Sequence, residues 1–135
     1  MNGSQNNSKI RVVIDTNIIF MAWYNPFGKC AEVFRRAREG KIELFSPDSV
    51  KEEIIRVFGR RGLSQEEIEE FLNDFPIEWV DKEIYTKLID KTKVKHKPDK
   101  PIEALSLILG CGILSADKHF KSRVDINELI RKVEK

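Results

Sequence analysis

Arg11-Val12-Val13-Ile14-Asp15-Thr16-Asn17 is the stretch whose reading decides the fold. Val12, Val13 and Ile14 are consecutive apolar residues with charged or polar neighbours on either side, the pattern of a strand buried on both faces in the middle of a parallel sheet. The run stops at a carboxylate. An Asp just beyond the carboxyl end of a central parallel strand stands in the crevice where open α/β sheets bind ligands. Asp15 is therefore expected to begin a metal site, provided that other parts of the chain bring acids to the same edge.

Outward from this stretch, Asn17 to Trp23 is apolar enough to open a helix capped by Thr16 or Asn17, and Tyr24-Asn25-Pro26-Phe27-Gly28 reads as a turn. Cys30, Val33, Phe34 and Ala37 fall at i, i+3, i+4 and i+7, one helical stripe that Gly40 terminates. Ile42 to Phe45 is a second strand, and Ser46-Pro47-Asp48 starts a helix with Ser46 as cap and Pro47 in the first turn. Strand, helix, strand in this order implies a right-handed crossover and a parallel pair. That helix carries Glu52 and Glu53 and stops near Gly62, and Ser64-Gln65-Glu66-Glu67 is a capping box for the next helix, which runs to Pro76.

Ile77 to Val80 is a third strand, short and suited to a sheet edge. Asp81 caps a helix whose core-facing residues are Ile84, Leu88 and Tyr85. After the basic connector Lys91 to Pro98, Asp99 stands at the N-cap of the most apolar helix in the chain, with Pro101 in its first turn. Ile113 to Ala116 is a fourth strand and again stops at a carboxylate, Asp117. Val124-Asp125-Ile126 is a candidate edge strand and Asn127 to Val133 a closing helix, so the predicted sheet is mostly parallel with four to five strands.

Asp15 and Asp117 both follow buried-type strands and so both lie at the carboxyl edge of the sheet. A helix leading into a parallel strand runs antiparallel to it, which puts the helix start at Asp99 on that edge as well. The helix after the second strand also begins there and carries Glu52 and Glu53 about two turns in. Each acid alone has an ordinary role, Asp99 as a cap and Glu52 or Glu53 on a solvated helix face. Together, three aspartates and a glutamate make an oxygen-rich, strongly negative pocket for which Mg²⁺ or Mn²⁺ with waters is the natural occupant.

At 135 residues, with 41% hydrophobic and 34% charged, the chain fits one soluble globular domain. No apolar run approaches the roughly 18–20 residues of a membrane helix. Met1 to Lys9 has neither the apolar core of a signal peptide nor the Arg-rich pattern of a transit peptide. The expected organisation is a disordered tail over residues 1–9 and a single domain over 10–135, in a cytoplasmic protein. Cys30 and Cys111 lack any zinc-like spacing and read as small buried apolar residues in a reducing compartment. The net charge of +2 conceals 24 basic against 22 acidic residues, and the signs segregate. Lys91, Lys93, Lys95, His96, Lys97 and Lys100 lead up to Asp99, while Lys118, His119, Lys121 and Arg123 follow Asp117. An acidic pocket repels a polyanion, so flanking cations are what such a substrate requires; plain solvation is the other reading of each group.

Four motifs, in their order and spacing, resemble the PIN-domain nucleases, a family that includes the toxins of VapBC toxin-antitoxin pairs. They are the strand into Asp15-Thr16-Asn17, Ser46-Pro47 followed by Glu53-Ile54, Asp99-Lys100-Pro101 before an Ala/Leu-rich helix, and Ser115-Ala116-Asp117-Lys118-His119-Phe120. The resemblance runs from Arg11 to about Ile130. It implies a three-layer α/β/α sandwich around a parallel sheet, and acids that hold Mg²⁺ or Mn²⁺ for cleavage of single-stranded RNA. Asp15, Asp99 and Asp117 match the family's aspartates, with Asn17 and Ser115 as polar supports. The glutamate is Glu53 when the Ile54-Ile55-Arg56-Val57 helix sets the register and Glu52 when counted six residues on from Ser46; Val50 and Ile54, flanking Glu53 toward the packed face, favour Glu53.

Glu103, one turn after Asp99, is a further acid for which a solvated or peripheral role is expected. Lys95, Lys97, Lys100, Lys118 and Lys121 are the expected phosphate contacts, and Trp23, Tyr24 and Phe27 are candidates for stacking on bases. The implied partners are single-stranded RNA, an antitoxin protein and a second copy of the chain docking through apolar residues between Ile68 and Leu88, with no membrane.

The chemistry this implies is hydrolysis of an RNA phosphodiester, with carboxylates as metal ligands and Asp117 or Asp99 as proton acceptor. The alternative from another class is a catalytically silent domain that binds RNA or a partner protein. A phosphatase of the haloacid dehalogenase type needs a second Asp two residues after the first, where this chain has Asn17. A phosphate-binding P-loop is absent, and Gly110-Cys111-Gly112 precedes a strand where a dinucleotide loop follows one.

Overall fold

β1 (Ile10–Ile14) is paired on both sides by parallel strands, β2 (Ile42–Pro47) and β4 (Gly112–Leu114), and β3 (Ile77–Val80) adds to the far side of β2. The structure is a computed structural model and describes residues 9–92, 97–117, 120 and 122–134. The sheet order is β3-β2-β1-β4, all parallel. Val12, Val13 and Ile14 are buried on both faces, as their run of apolar side chains requires. Burial of this kind contributes about 1.5–3 kcal/mol per side chain.

α1 (Thr16–Tyr24) and α2 (Lys29–Arg38) connect β1 to β2, and α3 (Asp48–Arg60) and α4 (Gln65–Asn73) connect β2 to β3. The chain then returns across the sheet through α5 (Lys82–Tyr85), 3₁₀ helices at Thr86–Lys91 and Lys97–Asp99, and α6 (Lys100–Leu109). α7 (Ile126–Val133) closes the described chain. The first two crossovers advance in one direction and the third goes back. Right-handed connections therefore put α1 to α4 on one face of the sheet and α5 with α6 on the other, giving the three-layer α/β/α sandwich. α6 packs on β1, β2 and β4, while α2 packs on β2 and carries α7 against it.

Edge-to-face aromatic pairs tie the first layer together. Phe34 meets Phe75, Phe75 meets Phe71, Phe71 meets Phe58, and Phe58 meets both Phe20 and Trp23, with ring centroids 4.8–5.4 Å apart. Each such pair adds about 0.5–1.5 kcal/mol beyond the area it buries.

Several local expectations are corrected. β2 continues through Pro47 because Ser46 and Pro47 pair with Trp79 and Val80 of β3, so Ser46 lies inside the strand and does not cap α3. Ile84 turns outward, and Tyr85 turns in to donate its hydroxyl to Asp48 at 2.6 Å. Val124-Asp125-Ile126 forms no strand: the chain makes one parallel bridge, Ile113 with Arg123, after which Asp125 caps α7 and Ile126 begins it. Ile68 and Leu72, expected at a docking face, are buried in the core.

The bridge on the outer edge of β4 rests on a bare backbone. Ile113 donates to the Ser122 carbonyl at 3.0 Å and Val124 donates to the Ile113 carbonyl at 2.8 Å. A Cβ on Gly112 would collide with the Val124 side chain and meet the Ser122 carbonyl at 3.0 Å. Gly59 in α3 has open space around it. Gly112→Ala is expected to destabilise the fold by about 1–3 kcal/mol through overpacking, and Gly59→Ala to stabilise it by roughly 0.4–1 kcal/mol; urea unfolding midpoints check both signs.

Candidate active site

β1 leads outward to β2 and β3, whereas β4 lies on its other flank, so the strand order reverses between β1 and β4. At such a reversal the connections leave in opposite directions and open a crevice above the strand ends. Asp15 follows β1 into this crevice, and Ser115-Ala116-Asp117 follows β4. The register that pairs Ile14 with Leu114 sets Asp15 beside Ser115.

The Ser115 hydroxyl donates to Asp15 Oδ2 and accepts from the Asp117 backbone N–H at 3.0 Å. Asp15 Oδ1 accepts from the Ile18 backbone N–H at 3.2 Å, so Asp15 itself is the N-cap of α1, in place of Thr16 or Asn17. On the other flank the Ser46 hydroxyl donates to the Ile14 carbonyl at 2.9 Å. Two serines from neighbouring strands thus grip the end of β1.

Glu53 and Glu52 are separated by a single contact. The Thr16 hydroxyl donates to Glu53 Oε1 at 2.9 Å, which brings Glu53 beside the residue that follows Asp15. Glu52 is exposed on the outside of α3. Asp99 and Glu103 are buried near the start of α6, 9% and 8% exposed, so the solvated position expected of Glu103 is corrected. Asp99 stands at the cap position of α6 without a side-chain cap hydrogen bond. The 3₁₀ turn Lys97–Asp99 runs into α6, and Asp99 is already in helical backbone where a capping residue is normally extended.

Asp15 is 5% exposed. Its carboxyl is held above its ordinary value of 3.8, chiefly by burial and further by the charges of Asp117 and Asp99, against the pull of the Ser115 and Ile18 hydrogen bonds. The charges of Asp117 and Asp99 therefore reach Asp15 in its crevice, and Glu53 joins through Thr16. Cys30 is close enough to Asp15 that burial and the Asp15 charge push its thiol up, which keeps it protonated and inert.

Of the remaining expected residues, Asn17 is exposed, Lys97 is exposed, and Lys100 is half-buried with its Nζ 3.4 Å from the Thr92 hydroxyl. Lys95, Lys118 and Lys121 lie outside the described residues, as do Lys93, His96 and His119. Sequence reasoning missed two contacts. In the sequence Thr16 reads as a cap and a motif residue and Arg123 as a cation, yet Thr16 donates to Glu53, and Arg123 Nε donates to the Ser115 carbonyl at 2.8 Å and steadies the loop that carries Asp117. No spacing in the sequence announces a contact between Thr16 and Glu53, which are brought together by the β1–β2 pairing.

Among the described residues, no group of three or more His, Cys, Asp and Glu is gathered tightly enough to hold a metal ion directly. The donor set nonetheless fits a hard cation: it is carboxylate and hydroxyl oxygen, one carboxylate is buried, and neighbouring acids load it with unfavourable charge. Among the described residues, Oδ1 of Asp15 accepts from the Ile18 N–H and Oδ2 from the Ser115 hydroxyl, and each oxygen has a second lone-pair site. Mg²⁺ retains several waters, so ligands spread wider than direct coordination suit it.

An all-parallel α/β sheet with Asp15 and Asp117 joined through Ser115 at its reversal point defines the class. The family model of the PIN domain matches residues 13–132, and the chain belongs to the PIN-domain family. No curated protein gives a significant match. PIN domains are generally nucleases that use divalent metal ions, and nucleic acid is their substrate class. No helix among the described residues is long and apolar enough to cross a membrane.

The raised Asp15 carboxyl has a consequence for stability. A folded-state value above 3.8 means that ionisation opposes folding, so this group's contribution is favourable below 3.8 and is lost as the pH rises through the folded value. Metal-free Asp15→Asn is expected to unfold at a higher temperature than the parent at pH 7, with the gap closing below pH about 4; thermal unfolding with a chelator present checks this. Ser115→Ala is expected to weaken Mn²⁺ binding by about 10–100-fold, the usual effect of losing a group that orients a ligand, measured by calorimetric titration.

Proposed function

We propose that this chain is an Mg²⁺- or Mn²⁺-dependent endoribonuclease that hydrolyses phosphodiester bonds in single-stranded RNA. The observation that carries the reading is the buried Asp15 carboxylate joined through the Ser115 hydroxyl to the Asp117 backbone at the point where the strand order reverses. Asp15, Asp99, Asp117 and Glu53 would hold the ion, directly or through water. A divalent ion held by these residues would supply a lowered pKa for an attacking water and stabilisation of charge on the leaving oxygen.

The chain's own residues do the positioning. Ser115 fixes the Asp15 carboxylate and, through the Asp117 N–H, the start of the second acidic loop. Thr16 holds Glu53 toward the crevice. Asp117 is half-exposed where Asp15 is buried, so it is the better placed of the two to take a proton from a solvent-supplied nucleophile. Lys97 and Lys100 on the approach to α6 supply cations for the RNA phosphates. Lys95, Lys118 and Lys121 belong to the same proposal by their places in the sequence.

A toxin role within a toxin-antitoxin pair is the narrower form of this reading, decided by co-purification of a small protein that blocks cleavage. The wide spacing of the acids favours one alternative, a catalytically silent PIN domain that binds RNA or a protein.

Incubation of the purified protein with single-stranded RNA and Mn²⁺ separates the two. Cleavage is expected with Mn²⁺ and not with chelator, abolished in a folded Asp15→Asn variant, lowered by about tenfold or more in Glu53→Gln, and unchanged in Glu52→Gln. Equal activity in Asp15→Asn and the parent would overturn the metal-nuclease reading.

A further inference from the structure

A cavity of about 400 Å³ adjoins the acidic crevice and plays no part in the metal chemistry described above. α1 lines it with Asn17, Phe20 and Tyr24, α3 and its C-terminal cap line it with Val57 and Arg61, and Ala116 closes it. Asn17 is two residues after Asp15, and Ala116 immediately precedes Asp117. A Cα–Cα step is about 3.8 Å, so the cavity begins two residues along the chain from Asp15 and one from Asp117.

Its walls are apolar, with an aromatic ring and a guanidinium at the rim. Arg61 Nη1 donates to the Tyr24 hydroxyl oxygen at 2.7 Å, holding the two planar groups side by side. Tyr24 is exposed and leans on Trp23 with centroids 4.8 Å apart, and Trp23 in turn sits edge-on to Phe58 and Phe71. The exposed ring is thereby braced from behind by the aromatic core of the first layer. Among the described residues Arg61 forms no ion pair, so its charge is uncommitted.

We propose that this cavity is a nucleobase subsite, which receives the base next to the phosphate being cut. The inference rests on the nuclease reading for the position of that phosphate. Three features favour a base over an apolar peptide side chain. The cavity is walled by Asn17 and Ala116, chain neighbours of Asp15 and Asp117. It presents a pre-braced ring and a guanidinium plane, surfaces on which a flat heteroaromatic stacks. The Tyr24 hydroxyl, whose oxygen accepts from Arg61, keeps its own proton to donate to a base edge. A purely apolar ligand would leave both the Arg61 charge and that donor without a partner. One stacked and hydrogen-bonded base beside the scissile bond would make the cleavage selective for base type at that position.

The test uses the full chain in two forms. Cleavage is measured on single-stranded RNA oligomers that vary one base at a time, with an abasic residue as one member. Binding of the same oligomers is measured by fluorescence anisotropy in the inactive Asp15→Asn background with Mn²⁺. The variants are Tyr24→Ala, at an exposed position that spares the core, and Val57→Trp, which fills the cavity. The parent is expected to prefer some bases and to bind the abasic oligomer about tenfold or more weakly than the best one. Both variants are expected to bind every oligomer with the affinity the parent shows for the abasic one, and to lose base preference in cleavage. Unchanged affinity and base preference in both variants overturns the subsite and leaves the cavity to a protein segment, while the nuclease reading stands on the parent's Mn²⁺-dependent cleavage. If the parent cleaves nothing, that reading fails, and the binding series still decides whether the cavity takes a base.

Discussion

Everything at the carboxyl edge of the sheet depends on how the Asp15 carboxylate is held. It is buried at the end of the central strand, with one oxygen on the Ile18 N–H and the other on the Ser115 hydroxyl. The first bond starts α1 and the second ties β1 to the loop after β4, so one side chain both nucleates a helix and bridges the reversal of the strand order. Removing it from water while Asp99 and Asp117 face it is unfavourable, as the raised carboxyl records. A protein keeps such an arrangement where function needs it and balances it elsewhere. Here the balance comes from β1, whose apolar residues are buried on both faces, and from the aromatic chain that braces α1 to α4.

The acids reach the same edge of the sheet by separate routes. Asp15 arrives by strand β1 and Asp117 by strand β4. Asp99 arrives because α6 runs back against the sheet, and Glu53 because α3 leans on α1. Supporting contacts are made by hydroxyls: Ser46 on the Ile14 carbonyl, Ser115 on Asp15, and Thr16 on Glu53. Short, stiff side chains of this kind hold a ligand's orientation with little conformational entropy to lose. Asp48, another acid at the same edge, is committed to the Lys82 N–H and the Tyr85 hydroxyl and so joins α3 to α5. Its role is structural, which shows that location at the edge does not alone make an acid part of the site.

The parallel sheet and its four strands were legible because apolar runs ending at acids leave a direct trace in the residue order, whereas the reversal between β1 and β4 emerges only from the strand pairing. Helix ends followed where a glycine or a capping box marks them, as at Gly40 and Ser64. What stayed hidden depends on contacts between distant segments. Ser46 reads as a cap until β3 extends β2 past it. Tyr85 reads as a lesser core residue than Ile84 until Asp48 supplies a partner for its hydroxyl. Val124 to Ile126 reads as a strand although Asp125 stops it by capping α7. The choice between Glu53 and Glu52 is a matter of helix phase, which periodicity favoured and the Thr16 hydroxyl now supports for Glu53. The burial of Glu103 could not be read at all, since an acid one turn into a helix is ordinarily solvated.

The central claim is that the three aspartates form one divalent-cation site. Anomalous diffraction from crystals soaked in Mn²⁺ tests it most directly. The account predicts a single site or a close pair of sites bounded by Asp15, Asp99 and Asp117, with Glu53 reaching it directly or through water. An Mn²⁺ peak that lies elsewhere on the protein, with this crevice empty at saturating Mn²⁺, would contradict it.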